Sequence, residues 1–377
     1  MRIALIQPKF DSHGGAERYA LNLGISLSRH GHEVHLFGRR AKGLQGKVRF
    51  HRLWSIPIGR ALKTWSFDRI ARLYVAGNDF PIIQGSGKTT CQNIHRLGGG
   101  LHRAYLQQIG KQADSWYDRL VLAMEDRLMQ SSSLKAIICP SCWVREELES
   151  YYPKLAAIAH VIANGVDLNS FSYCPDPCSR KDLRAAFAAT GSRRVLLFVA
   201  ANFWLKGLDR AIALLPYLPE SVLIVIGGDK HPPFIYQART LGVADRLVFL
   251  GPQADMPAYY QAADLLIHPT RYDPFANVCL EALSCGTPVI TTARDGVADL
   301  LRAGQGGAVM DPKAGPEHSA RLVESQLNQG LAARQQARQL ACEYSQGHHL
   351  ARIETLYYRI ADRADPLHSA KDALTQP

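Results

Sequence analysis

No apolar run in the chain approaches the roughly 18 residues that a membrane-spanning helix requires, so the sequence predicts a globular protein. The opening MRIALIQPKF carries one Arg and too short an apolar run for a secretory signal, and it reads as the first strand of a cytoplasmic protein. A disulfide framework is missing too. The eight cysteines, at positions 91, 139, 142, 174, 178, 279, 285 and 342, follow no regular spacing, and Cys139-Pro-Ser-Cys142 has no second pair at zinc-ligand distance, so reduced thiols are expected. No Asp-x-Asp occurs, which removes a metal held by such a pair on a diphosphate; neither metal nor cofactor is expected. The first turn reads Gly14-Gly15-Ala16-Glu17 rather than G-x-G-x-x-G, which argues against a Rossmann oxidoreductase. Gln84 to Thr90, QGSGKTT, imitates the end of a Walker loop, but Ile82 stands where that motif needs a glycine, so this is read as a strand-end loop. Acidic residues are in deficit. Their 33 against 44 Lys and Arg leave a net charge of +11, which favours an anionic partner or surface. No nucleic-acid recognition module accompanies that charge, so nucleic acid is not the expected partner.

What the sequence does have is alternation. With 377 residues, 47% hydrophobic and 20% charged, it suits two domains of ordinary size. Ile3 to Pro8 is a buried strand, Gly14 and Gly15 open the helix that Gly31 closes, and His32 to Phe37 is the next strand. This βαβ unit opens a doubly wound sheet. Leu134 to Pro140 is another strand, followed by a helix that Ser141 caps. Val161 to Asp167 leaves through Asn-Gly into the irregular LNSFSYCPDPCS, which sets the domains at 1–165 and 166–377. A second alternation follows, with strands at Arg194 to Ala200, Val222 to Ile226 and Arg246 to Leu250, and helices at Gly207 to Leu218 and Phe234 to Leu241. Such α/β patterning predicts parallel sheets with ligands at the carboxyl ends of the strands. Beyond a short strand at Gly306 to Asp311 the chain is read as helical to about Ile360, with a polar tail.

One stretch organises the rest. In AADLLIHPTRYDPFANVCLEALSCGTPVITT, from Ala262 to Thr292, two apolar strands flank a helix with Asp273 placed to cap it, Pro274 at its first position and Gly286 past its end. Glu281 follows Asp273 by eight residues, about 12 Å along a helix at roughly 1.5 Å per residue. That is about the span from ribose to hexose in a sugar nucleotide. Between the two acids lie the amides of Phe275, Ala276 and Asn277, suited to a pyrophosphate.

The acid-x7-acid element followed by EALSCGTPVI resembles the donor-site signature of retaining glycosyltransferases of family 4, and Asp-Pro-Phe-Ala-Asn-Val is most like the lipopolysaccharide core enzymes. The resemblance implies a GT-B fold, two Rossmann-like doubly wound domains facing across a cleft, with the last helix returning to the first domain. It implies that Asp273 contacts the donor sugar, that the amides of residues 275–277 hold the diphosphate and that Glu281 binds the ribose. Many relatives carry Glu at the first position, where this chain has Asp273. Lys206 matches the phosphate-contacting lysine, with Asn202 beside it. Gly227 and Gly228 fall in a loop touching the nucleotide, and Arg294 to Val297 in a loop near the donor. Gly14 and Gly15 fall near the donor phosphates, with Glu17 and Arg18 toward the acceptor; His95 and His102 are further acceptor-side candidates. Relatives place an Arg shortly before that lysine, where this chain has Ala200 and Leu205. Either Arg271 serves instead or one phosphate contact is missing. The activity implied is transfer of a hexose, glucose from UDP-glucose, to a lipopolysaccharide core or another lipid-linked or phosphorylated saccharide.

Two stretches mix aromatic and basic residues at helical spacing. The first is Leu53 to Val75, with Trp54, Trp65, Phe67 and Tyr74; the second is His102 to Met129, with Tyr105, Trp116 and Tyr117. Both suit the surface of an anionic membrane, and the second is expected to carry most of the contact.

Overall fold

The computed structural model describes residues 1–11, 14–173, 177–186, 194–301 and 304–362. The polar tail, Ser12 and His13 of the first loop, and Cys174 in the linker lie outside these residues. The chain divides into two units. One is Met1–Ala163 together with the chain from His349 onward, and the other is Asn164–His348.

In the first unit a seven-stranded parallel sheet is built from β1 (Arg2–Ile6), β2 (Glu33–Gly38), β3 (Arg49–Arg52), β4 (Ile82–Gly85), β5 (Ile94–Arg96), β6 (Ala136–Cys139) and β7 (Ala159–Val161). The spatial order is β3-β2-β1-β4-β5-β6-β7. The second unit repeats the pattern with six strands, β8 (Arg194–Val199), β9 (Ser221–Ile226), β10 (Leu247–Gly251), β11 (Leu265–His268), β12 (Val289–Thr292) and β13 (Gly307–Met310), in the order β10-β9-β8-β11-β12-β13. All pairings in both sheets are parallel. Strand order reverses between β1 and β4 in one sheet and between β8 and β11 in the other. In open α/β sheets, ligands bind outside the carboxyl ends of strands at such reversals.

The sequence accounts for the layers. In α1 (Gly15–Arg29) the apolar residues Ala20, Leu21, Leu23 and Leu27 face the sheet, and they join Ile3, Leu5, Val34 and Leu36 in one core. Gly24 lets this helix approach closely, since a Cβ there would stand 3.0 Å from Leu36. The closing helix, Gln346–Asp362, contributes Leu350, Ile353, Leu356, Tyr357 and Ile360 to that same core. The second unit has its own core of Leu196, Phe198, Phe203, Leu223, Val225 and Ile267, among others.

Some elements depart from expectation. The helix expected over residues 207–218 stops at Ile212, and a short 3-10 turn at Leu215–Tyr217 follows, because Pro216 cannot continue an α-helix. The glycine-rich IHRLGGGLH contains a strand, β5, as well as a loop. The basic-aromatic stretches supply α2 (Arg60–Ala76), α3 (His102–Gln108) and α4 (Trp116–Met129).

Candidate active site

The switch point of the second sheet is where Lys206 and Asp273 meet. The loop after β8 forms a single helical turn, α5 (Phe203–Lys206), on which Asn202 Oδ1 accepts the Leu205 amide at 2.9 Å. The side chain of Asn202, expected at the nucleotide, therefore caps this turn. Gly207 ends the turn with φ 83°, and a Cβ there would lie 2.1 Å from the Pro269 carbonyl. That close approach brings the loop after β8 against the loop after β11. Lys206 Nζ consequently donates to Asp273 Oδ2 at 2.6 Å and to the Tyr272 carbonyl at 3.1 Å.

The helix after Asp273 is shorter than the sequence suggests. It is α6 (Asn277–Ser284), and Ala276 rather than Asp273 occupies the N-cap position. Residues 273–276 do not coil because they pair with the loop after β12. The Asp273 amide donates to the Arg294 carbonyl, and the Gly296 amide donates back to the Asp273 carbonyl, both at 2.9 Å. Two of the three amides expected at a diphosphate already have acceptors: Phe275 N–H donates to Asp273 Oδ1 at 3.3 Å and Ala276 N–H to Asp295 Oδ1 at 3.1 Å. Asn277 and Val278 are the first two helical positions, and their N–H groups have no acceptor inside the helix. The free amides at this helix mouth are thus shifted toward the carboxyl end. Gly286 closes the helix with φ 76°, as expected.

Four polar side chains converge here. His268 Nε2 lies 3.3 Å from the same Asp273 oxygen that Lys206 holds. Burial opposes charge on Asp273, but the Lys206 ammonium and the His268 hydrogen bond overcome it and hold the carboxyl well below the usual carboxylate range. Asp295 behaves oppositely. It is 1% exposed, and burial, reinforced by the charge of Asp273, pushes its carboxyl up. Asp295 also receives the Val297 amide at 3.0 Å, the Thr291 hydroxyl at 2.8 Å and the Cys279 thiol at 3.6 Å. His268, Cys279 and Asp295 thus hold metal-type donor atoms within 4.8 Å of one another. Since both oxygens of Asp295 already accept protons from donors, we assign the cluster to positioning Asp273 and the helix mouth.

Sequence reasoning missed His268, Asp295 and Tyr260. Their signals were modest: a lone polar residue ending an apolar strand, an acid in a loop noted only as a segment, and a tyrosine in an unremarkable helix. Tyr260 donates its hydroxyl at 3.0 Å to Glu281 Oε2, and Glu281 is 5% exposed on α6. Arg271 is not a spare cation. Its guanidinium pairs twice with Asp209, at 2.8 and 2.7 Å, donates to the Trp204 carbonyl and stacks over the Trp204 ring. Gly227 has φ 148°, and a Cβ there would lie 1.8 Å from the Ala200 carbonyl, so this glycine is required by packing between the loops after β8 and β9. Gly228 follows, against Pro252.

The first unit holds a cavity of about 470 Å³. The Ser86–Thr89 loop after β4 and helices α3 and α4 wall it, and both His95 and His102 line it. His95 is buried, which lowers its pKa to about 4 and leaves the ring neutral at pH 7. His102 Nε2 lies 2.9 Å from Asp118 Oδ1, so the nitrogen facing the carboxylate carries the proton. Burial and then the nearby Lys88 lower the His102 pKa, so that this ring too is neutral. Gly14, Gly15, Glu17 and Arg18 do not line the cavity. Gly14 caps α1 with φ 89°, and Glu17 folds back over it.

Comparison with known proteins fits both halves. The family description "Glycosyltransferase Family 4" matches residues 13–170, and "Glycosyl transferases group 1" matches residues 179–342. The "Lipopolysaccharide glucosyltransferase WaaG" of Escherichia coli (strain K12) is 34% identical over 158 residues, 41% of this chain and 42% of that protein. The "D-inositol 3-phosphate glycosyltransferase" of Mycobacterium sp. (strain KMS) is 30% identical over 228 residues, 58% of this chain and 49% of that protein. The chain thus spans about half the length of the first curated relatives it matches. The crystal structure of WaaG, described as "a glycosyltransferase involved in lipopolysaccharide biosynthesis", superposes with a TM-score of 0.82 at 22% identity, covering 94% of this chain and 99% of that one. With two Rossmann-like parallel sheets, a family 4 amino-terminal half and a group 1 carboxy-terminal half, the chain belongs to the GT-B glycosyltransferases.

Proposed function

We propose that this protein transfers a hexose, glucose from UDP-glucose, to a lipopolysaccharide core or related lipid-linked saccharide, with retention of configuration and without a metal. The observation that carries this reading is the Lys206–Asp273 pair, 2.6 Å apart at the switch point and next to the open helix mouth of α6. An ammonium has three donors. Two are engaged, by Asp273 and Tyr272, and the third is available to an oxygen of a departing diphosphate. Together with the Asn277 and Val278 amides it would stabilise the charge that develops as the glycosidic bond breaks. In this reading Asp273 contacts the sugar, Glu281 the ribose hydroxyls, and Gly227 and Gly228 border the nucleotide.

The acceptor binds in the first unit, in the cavity lined by His95 and His102. The relatives, one a lipopolysaccharide glucosyltransferase and one a D-inositol 3-phosphate glycosyltransferase, support a sugar acceptor that carries anionic groups. Membrane contact is proposed through α2 rather than through the second basic-aromatic stretch. Tyr105 and Tyr117 line the cavity, and Arg103 pairs with Asp126. On α2 and the turn before it, Ile58, Leu62, Trp65 and Leu73 form an exposed apolar stripe, with Trp54 nearby and Lys63 and Arg69 alongside. No helix among the described residues is long and apolar enough to cross a membrane, so contact would be peripheral, at the cytoplasmic face.

The test is transfer of radiolabel from UDP-glucose to a series of truncated core oligosaccharides, with GDP-mannose as the donor control. Wild-type protein should label one acceptor, and Lys206→Met and Glu281→Gln should each lower turnover at least a hundredfold while melting cooperatively. Wild-type turnover in either variant would remove that residue from the mechanism.

A further inference from the structure

The cavity of the first unit has a charge pattern that a neutral sugar would not need. Lys88 Nζ donates to the Tyr117 hydroxyl at 2.6 Å and sits 4.6 Å from the centre of that ring, while the Arg60 guanidinium lies 4.2 Å from it. Two cations therefore gather at one tyrosine ring, whose π-system attracts them, and the Asp118 charge also acts on Lys88. The lining also includes the exposed Lys111 and the buried Arg96, whose guanidinium lies over the Tyr19 ring. The two acids of the lining, Asp118 and Glu125, leave these cations in excess, although the Asp118 charge acts on Lys88. Asp118 is taken by His102 and Ser115, and Glu125 accepts the backbone amides of His102 and Arg103 at the start of α3, at 2.5 and 3.4 Å.

Two further features point to a ligand. Thr89 lines the cavity, and its buried hydroxyl has no hydrogen-bond partner among the described residues; a buried polar group of this kind is costly unless something completes it. Part of the lining is apolar, formed by Leu106, Val121, Met124 and Leu128, and suits the face of a ring rather than an isolated ion. A volume of about 470 Å³ falls within the roughly 300–1,000 Å³ of small-molecule sites.

We infer that this cavity reads a phosphomonoester on the acceptor sugar: Lys88 and Arg60 take the phosphate, Thr89 completes its hydrogen bonds, and His102 accepts from a ring hydroxyl. The inference rests on the glycosyltransferase reading and deepens it, because it makes the acceptor a phosphosugar rather than any saccharide. The role of His102 follows from its partner. With the proton on Nε2 facing Asp118, Nδ1 is left as an acceptor, and it can take a hydroxyl proton in a hydrogen bond but cannot compete for the phosphate.

The test is calorimetric titration of the full chain with glucose 6-phosphate, glucose and inorganic phosphate, and separately with UDP-glucose. Glucose 6-phosphate should bind at least tenfold more tightly than glucose or phosphate alone. Lys88→Met and Lys111→Met should each weaken it, Lys88→Met by tenfold or more, with melting temperatures confirming that both variants fold. Equal binding of glucose and glucose 6-phosphate would overturn the inference, as would binding of inorganic phosphate as tight as that of the phosphosugar. Unchanged affinity in Lys88→Met would overturn it too. Failure of UDP-glucose to bind wild-type protein would instead overturn the donor reading on which it rests.

Discussion

Replacing Lys206 by Met removes the one ammonium that holds Asp273 in its charged form. The Lys206 and Asp273 side chains keep only 20% and 14% of their areas exposed, and the carboxylate is further crowded by Asp295. Removing one partner of a fully buried pair costs about 3–5 kcal/mol, and the residual exposure brings the figure here to about 2–3 kcal/mol through solvent screening. For a unit of nearly 200 residues, at about 2–4 °C per kcal/mol, the melting temperature should fall by about 5–10 °C. The effect has a pH signature. The folded-state pKa of Asp273 lies below the unfolded value of about 3.9, so its charge contributes stability that is fully present above that value and is lost as pH falls through the folded pKa. Without the ammonium, burial is opposed less, the carboxyl takes up its proton at higher pH, and the penalty is relieved. The gap between wild type and Lys206→Met should therefore be widest near pH 7.5 and narrow toward pH 4.5. Adding Asp273→Asn and the double variant completes a cycle, in which the coupling should be about 1–3 kcal/mol. Melts of the four proteins by circular dichroism across that pH range provide the check. A gap that does not change with pH, or single effects that add within about 0.5 kcal/mol, would refute the pairing.

Two other substitutions follow from the geometry. Gly207→Ala forces a side chain into a left-handed conformation and against the Pro269 carbonyl, which should cost at least about 1–3 kcal/mol and, by separating Lys206 from Asp273, reduce transfer more than stability; an active variant of wild-type stability would contradict this. Ile58→Ser combined with Trp65→Ser removes half of the exposed stripe on α2 and the turn before it and should abolish sedimentation with vesicles of anionic phospholipid while leaving solubility intact. Undiminished sedimentation would move membrane contact elsewhere.

How much of this was legible in the sequence depended on whether the signal was local. Strands such as RVLLFV and SVLIVI announce themselves because burial on both faces demands continuous apolar runs. Asp273 and Glu281 stood out by their eight-residue spacing on one helix-forming segment, and Lys206 by its resemblance to the family's phosphate-contacting lysine. The helix boundary was misread at Asp273 because Asp-Pro before an apolar run is a strong local start signal, whereas the loop after β12, some twenty residues on, offers hydrogen bonds that hold residues 273–276 extended. Asp295 was noted only as part of a loop for the same reason: two of its four donors, the Ala276 amide and the Cys279 thiol, stand 19 and 16 positions away. Arg271 looked like a spare cation because its neutralising partner, Asp209, lies 62 positions away.

The late helix start has a chemical consequence. Had Asp273 capped the helix, its carboxylate would have lain on the axis and competed with a diphosphate for the open amides. Held instead by Lys206 and His268, with Asp295 covering the Ala276 amide, Asp273 is drawn toward β8 and β11 while the Asn277 and Val278 amides remain at the mouth. The same displacement separates the negative group proposed for the sugar from the positive end of the helix proposed for the phosphates. A shift of three residues thus turns one contested helix mouth into two neighbouring regions of opposite charge, the two that the proposed reading needs, with the Lys206 ammonium beside Asp273 and one donor still to give.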